Sequence, residues 1–263
     1  MTAGVRRLSS YGERPIGTAD LLLHGDFVPE PGIGAFMAWR ARTGELIRGR
    51  RHLGAPRMRA DPGSRRALEA FYARELAHAD QTLVWVRPGR ADGCPAILLV
   101  AKVRLAERRT CYLGSLVLPF RDFSYHLSVA ALARGATRAR THAVLTSLLA
   151  SGQVRRTWLR GLRGWETPQY GRAGGAAVAA EHEEYDADFP AETLSRLRAL
   201  LRQVERAVRL SKDTRSAPPF EFVPPWPQRR ARGARRAIAR FGARLGLRFG
   251  ARVSAPGGAR RVA

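Results

Sequence analysis

The sequence predicts an α+β protein: an antiparallel β-sheet, a meander, flanked by helices, with a disordered or conditionally helical basic C-terminal tail. Three observations carry this. The runs TLVWVRP (82–88), AILLVAKVR (96–104), CYLGSLVL (111–118) and FSYHLSVA (123–130) are rich in Val, Leu, Ile and aromatic residues. The segments joining them are too short for parallel crossovers, so neighbouring runs pair antiparallel. Leu194, Leu197, Leu201, Val204 and Val208 advance in steps of three and four, the stripe of an amphipathic helix. Beyond a proline-rich stretch, residues 229–253 hold nine arginines and no acid.

In chain order, residues 1–19 read as irregular and 21–24 as a short strand. GDFVPEPGIG (25–34) carries two prolines and three glycines, which argue against regular structure. Two strands, 36–41 and 45–50, follow around a hairpin at Thr43-Gly44. Asp61 or Ser64 caps the next helix, Pro62 suits its first turn, and Leu68, Phe71, Tyr72 and Leu76 repeat at helical spacing as far as Asp80. After the four-strand meander, 137–151 reads as a helix stopped by Gly152. Residues 153–180 read as loop with short strands, and 190–210 as the last helix, started by Pro190 and preceded by acids that suit its dipole. The domain plan is therefore an irregular N-terminus (1–19), one α+β domain (20–212), a Pro-rich linker (213–228) and an Arg-rich tail (229–263).

This order of elements, over about residues 20–210, resembles that of the PsbP/Mog1/DcrB-like group. The resemblance implies an antiparallel sheet flanked by helices and an accessory or binding role rather than catalysis.

Composition narrows the function classes. The chain has 263 residues, 45% of them hydrophobic, enough for a sizeable core. Its formal charge of +24 points to anionic partners. Only Lys102 and Lys212 are lysines, however, and Arg, Ala, Gly and Pro are enriched together, as in a GC-rich coding sequence. Charge alone is thus discounted as a sign of function. Cys94 and Cys111 fall at opposite ends of neighbouring strands, too far apart to bridge, which fits a reducing compartment. No signal peptide and no transmembrane segment are expected, and the localisation expected is cytoplasmic.

Several chemistries lack their residues. Neither lysine follows a glycine, so there is no Walker loop, and GIG (32–34) precedes a strand rather than a helix. There is no H-E-x-x-H or Cys-x-x-Cys pair and no G-x-S-x-G elbow. No cofactor and no metal are expected. EHEEYDAD (181–188) gathers five acids around His182 and reads as a solvated acidic loop, with a weak cation site as the sharper alternative.

Two stretches carry sharper ideas. On a strand at 123–130, Asp122, Ser124 and His126 share one face, an invitation to a catalytic triad. Neighbours on that face stand about 6.6 Å apart and Asp122 about 13 Å from His126, so this strand alone builds no triad. A ligand groove along the polar face is the remaining reading. In RRTWLRGLRGWETPQYGR (155–172), Arg155, Arg156, Arg160, Trp158 and Trp165 offer phosphate contacts and stacking for a single strand. The plainer reading is that the aromatics anchor a long loop to the core.

In the tail, a helical wheel puts Ile238, Phe241 and Leu245 on one face and Arg232, Arg236, Arg240 and Arg244 opposite. That pattern suits a protein partner's groove, an anionic surface or nucleic acid, with the glycines making the helix conditional on a partner. The reading preferred is a non-catalytic binding or accessory protein. The alternatives are a nucleic-acid-associated protein using the Arg/Trp loop and tail, and an enzyme with its site at 122–128.

Overall fold

The computed structural model describes residues 13–14, 20–33, 36–105, 109–133, 137–157, 161–166 and 177–224. The chain divides into two units, Met1–Phe222 and Val223–Ala263. All tail residues named above fall outside the described residues, as do Trp158 and Arg160.

The elements are β1 (Glu13–Arg14), β2 (Leu21–Leu23), β3 (Phe27–Ile33), β4 (Phe36–Ala41), β5 (Leu46–Leu53), α1 (Arg65–Ala77), β6 (Gln81–Ala91), β7 (Cys94–Arg104), β8 (Thr110–Pro119) and β9 (Phe123–Leu132). After them come α2 (Thr137–Ala150), β10 (Arg155–Thr157), β11 (Gly161–Arg163), α3 (Thr193–Ala207), β12 (Val208–Leu210) and α4 (Lys212–Ser216). One large antiparallel sheet runs β3-β4-β5-β9-β8-β7-β6, with β1 paired to β5. The meander β6 to β9 and the hairpin β4–β5 form where the alternation placed them. The two halves of the sheet are joined by a pairing between strands distant in sequence: α1 carries the chain to the far edge, and the meander returns to set β9 beside β5.

Each face of the sheet has its own cover. On one, α3 lays Leu194, Leu197, Leu201 and Val204 over Trp39, Ile47, Leu98, Leu116, Tyr125 and Leu127. On the other, Leu68, Phe71 and Tyr72 of α1 meet Leu83, Val86, Ile97, Leu99 and Val117. Leu68 is wholly buried, and Ser64 caps α1 by accepting a hydrogen bond from the Ala67 amide. Burying such aliphatic side chains stabilises the fold by about 1.5–3 kcal/mol each.

A glycine fixes how closely α3 approaches. A Cβ at Gly114 would stand 2.9 Å from Leu197 Cδ1 and 3.1 Å from Leu201 Cδ1. Gly114→Val should therefore lower stability by about 1–3 kcal/mol through overpacking, although valine is the better strand former on a scale spanning only ~1 kcal/mol. Urea unfolding reads the sign directly, and a stabilised variant would contradict this packing.

Four sequence expectations need correction. GDFVPEPGIG is not irregular throughout, because β3 occupies 27–33. It lies at the sheet edge, where Pro29 and Pro31 can dispense with an N–H, and its register shifts between Glu30 and Ile33. Pro62 precedes α1 instead of opening it, since the helix starts at Arg65. The last helix ends at Ala207, and Val208 and Leu210 enter β12, which pairs with β2. Both stay buried, so the stripe persisted while the backbone changed. Finally, the stretch read as linker from 213 includes most of α4, capped by Ser211, and a bridge between Pro219 and Phe120. Phe220 packs on the α1 side of the core.

The two cysteines are free, Cys94 at the start of β7 and Cys111 at the start of β8 opposite Val103. No described helix is long and apolar enough to cross a membrane.

Candidate functional site

A cavity of about 400 Å³ lies where α1 crosses the ends of β5, β8 and β9. Leu53, Pro56, Met58, Phe71, Tyr72, Val117 and Pro119 give it mostly apolar walls. Its polar groups are His52, Ser124 and His126 from the sheet, Arg57 from the 54–58 segment and Glu75 from α1. The local backbone explains this convergence. Gly54 takes a left-handed turn (φ +92°), its amide donating to the Asp122 carbonyl at 2.8 Å, and so aims the chain across the sheet toward α1. The β5–β9 register sets His52 opposite Ser124 and Arg50 opposite His126, so the side chains of all four emerge on one face.

The two imidazoles are in contact, with ring centroids 4.4 Å apart and planes inclined by 57°. Burial, together with the neighbouring His52 and Arg50, pushes His126 down to about 3, so the ring is neutral at ordinary pH. Arg50 also lies over the Phe36 ring, 4.1 Å from its centroid.

Of the three residues singled out at 122–128, the structure brings two together. Ser124 and His126 both line the cavity. Asp122 does not; it sits in the turn before β9, its side chain exposed and 3.3 Å from Arg121. The expectation that Asp122 shares a polar face with Ser124 and His126 is therefore corrected, because the strand begins one residue after it. His52 went unnoticed in the sequence, where the strand was expected to stop at Arg50. Its alternation with Arg50 was readable, but the β9 partner that makes it matter was not.

The acidic run 181–188 is a second correction. It is in part an internal counter-charge for buried cations rather than a solvated loop. Glu181 is 8% exposed; its Oε2 lies 2.7 Å from Lys102 Nζ and its Oε1 accepts the Tyr112 hydroxyl at 3.1 Å. Asp186 Oδ1 accepts from Arg140 at 3.1 Å, from Arg198 at 2.8 Å and from the Ser195 hydroxyl at 3.1 Å. Arg140 and Arg198 are 2% and 0% exposed. The network ties α2, the 179–186 turns, α3 and β7 together. A sequence signal existed: Arg198 lies between Leu194 and Leu201 on the apolar stripe, and Arg140 sits four residues before Val144. Among the described residues, no group of three or more His, Cys, Asp or Glu could hold a metal.

In the 155–172 stretch, Arg155 and Arg156 are exposed on β10, while Trp165 is half-buried against Val144, Leu148 and Val154. Trp165 thus has a packing role that competes with stacking on a base.

No family model matches the chain, and no curated protein matches it. Among solved structures, the chain is similar to the solution structure of cyanobacterial PsbP (CyanoP) from Synechocystis sp. PCC 6803. The identity is 14%, the match covers 57% of this chain and 95% of that one, and the TM-score is 0.29. The fold described above rests on the strand pairing itself and takes nothing from that likeness.

Proposed function

We propose that this chain is a non-catalytic binding or accessory module that holds a small, largely apolar ligand in the cavity under α1. The observation that carries the reading is a half-open cavity with apolar walls and a few convergent polar groups, a combination typical of small-molecule sites of ~300–1,000 Å³. Catalysis by Ser124 and His126 has less support. An imidazole that binds protons only near 3 is a poor general base at neutral pH, and Asp122 is in no position to orient it.

A neutral environment-sensitive dye, N-phenyl-1-naphthylamine, should brighten on binding the full chain. Ser124→Leu, which fills the floor, and Ala55→Trp, which crowds the rim, should each weaken that binding about ten-fold or more while circular dichroism shows a folded protein. Undiminished dye binding in both folded variants would remove the cavity from the function.

A further inference from the structure

Resting on that reading of the cavity, we infer that its ligand is uncharged: one medium-length chain or ring bearing a single neutral oxygen, hydroxyl or carbonyl, held by Ser124, Tyr72 and His126. The charged groups of the lining are already answered. Arg57 and Glu75, one of each sign, are exposed to water, and both Arg57 and His52 have partners within the protein. The polar groups that remain carry no charge. Ser124 is 4% exposed and lines the cavity from β9, and among the described residues its hydroxyl has no hydrogen-bond partner. Tyr72 enters from α1 with its ring edge-on to Phe71, 5.0 Å between centroids. Its hydroxyl also has no hydrogen-bond partner among the described residues, and burial raises it above its ordinary value, so the phenol keeps its proton. His126, neutral at ordinary pH, completes the set.

These groups decide the charge of the occupant. A carboxylate or ammonium head would exchange its water for neutral dipoles in a partly desolvated site, an unfavourable transfer when no counter-charge is left to pair with it. A pure hydrocarbon would strip water from the Ser124 and Tyr72 hydroxyls and give nothing back, which is also unfavourable. A neutral oxygen avoids both losses. It accepts from a serine or tyrosine hydroxyl, and an alcohol can further donate to the bare nitrogen of a neutral imidazole. The rest of the ligand lies along Met58, Phe71 and Val117. A volume of about 400 Å³ is at the small end for ligand pockets, which favours one chain or ring over a two-chain lipid.

Displacement of the neutral dye from the full chain at pH 7 by 1-octanol, 2-octanone, p-xylene, octanoate and octylammonium separates the possibilities. Octanol and octanone should each compete at concentrations roughly ten-fold or more below those needed of octanoate or octylammonium. Ser124→Ala and Tyr72→Phe should each cut the octanol-over-xylene preference about three- to ten-fold, the loss of one neutral hydrogen bond. Circular dichroism checks that both variants are folded, and Tyr72→Phe retains the ring and its packing. Octanoate or octylammonium competing as well as octanol would overturn the uncharged assignment and leave the cavity reading standing. An undiminished octanol-over-xylene preference in both folded variants would overturn it too, by taking the oxygen away from these hydroxyls. If the dye, xylene and octanol all fail to bind, the cavity reading itself has failed.

Discussion

Replacing Asp186 with alanine should destabilise the protein by about 3–5 kcal/mol, among the largest effects any single substitution in this chain would have. The carboxylate answers two guanidiniums at once, Arg140 at 3.1 Å and Arg198 at 2.8 Å, and neither can reach solvent at 2% and 0% exposure. Burial already pulls Arg198 below its ordinary value, with Asp186 the first of the opposing influences and Arg140 adding to the depression. Without the acid, two like charges share a desolvated space, and the unanswered desolvation exceeds the ~1 kcal/mol at which an exposed pair saturates.

Asp186→Asn isolates the charge from the hydrogen bond. The amide keeps Oδ1 as the acceptor for both arginines and removes the charge, so its cost should be roughly half that of alanine. Urea midpoints with an unchanged slope read both values. Replacing the triad with apolar residues (Arg140→Met, Asp186→Leu, Arg198→Met) should recover only part of the loss. The charges vanish together, but Arg140 also donates to the Ala180 and His182 carbonyls, and those would lose their partner. An Asp186→Ala variant within 1 kcal/mol of the native sequence would show that water reaches these guanidiniums.

What the sequence disclosed, and what it withheld, follow the range of the interactions. The meander and α1 are local structures: alternation over eight to ten residues, or a stripe beginning at a Ser64 cap, states them completely. β3 defeated the reading because proline is judged by propensity, whereas an edge position removes the need for the N–H that proline lacks. Val208 misled for a related reason. An apolar residue at helical spacing is equally at home in a strand, and only the pairing with Leu23 decides between them. The cavity is a step further away. Ser124 and His126 were legible as one polar face, but His52 joins them through the pairing of β5 with β9, which spans a helix and three strands. Arg140 and Arg198 were different again, since their positions on apolar stripes demanded a buried acid before any contact was known.

The cavity carries the second large effect, and it is one of pH. His126 binds its proton at about 3 in the folded protein and near 6.5 when the chain unfolds. Between those values the unfolded state holds more protons, so the stability tied to this residue is complete above about 6.5 and is lost as pH falls toward 3. Each pH unit inside that window costs up to ~1.4 kcal/mol, or about 2 kcal/mol by pH 5. Carboxylates add their own acid sensitivity. Glu183, for instance, is raised by burial but lowered more by the Trp85 indole N–H and by Arg202. The quantity to measure is therefore the difference between the native sequence and His126→Phe, in which those shared contributions cancel. Urea midpoints at pH 7.5, 6, 5 and 4.5 should show the variant gaining on the native protein at each step. A difference that is flat from pH 7.5 to 4.5 would mean that His126 takes its proton as readily folded as unfolded. The imidazole would then be solvated rather than buried beside His52 and Arg50.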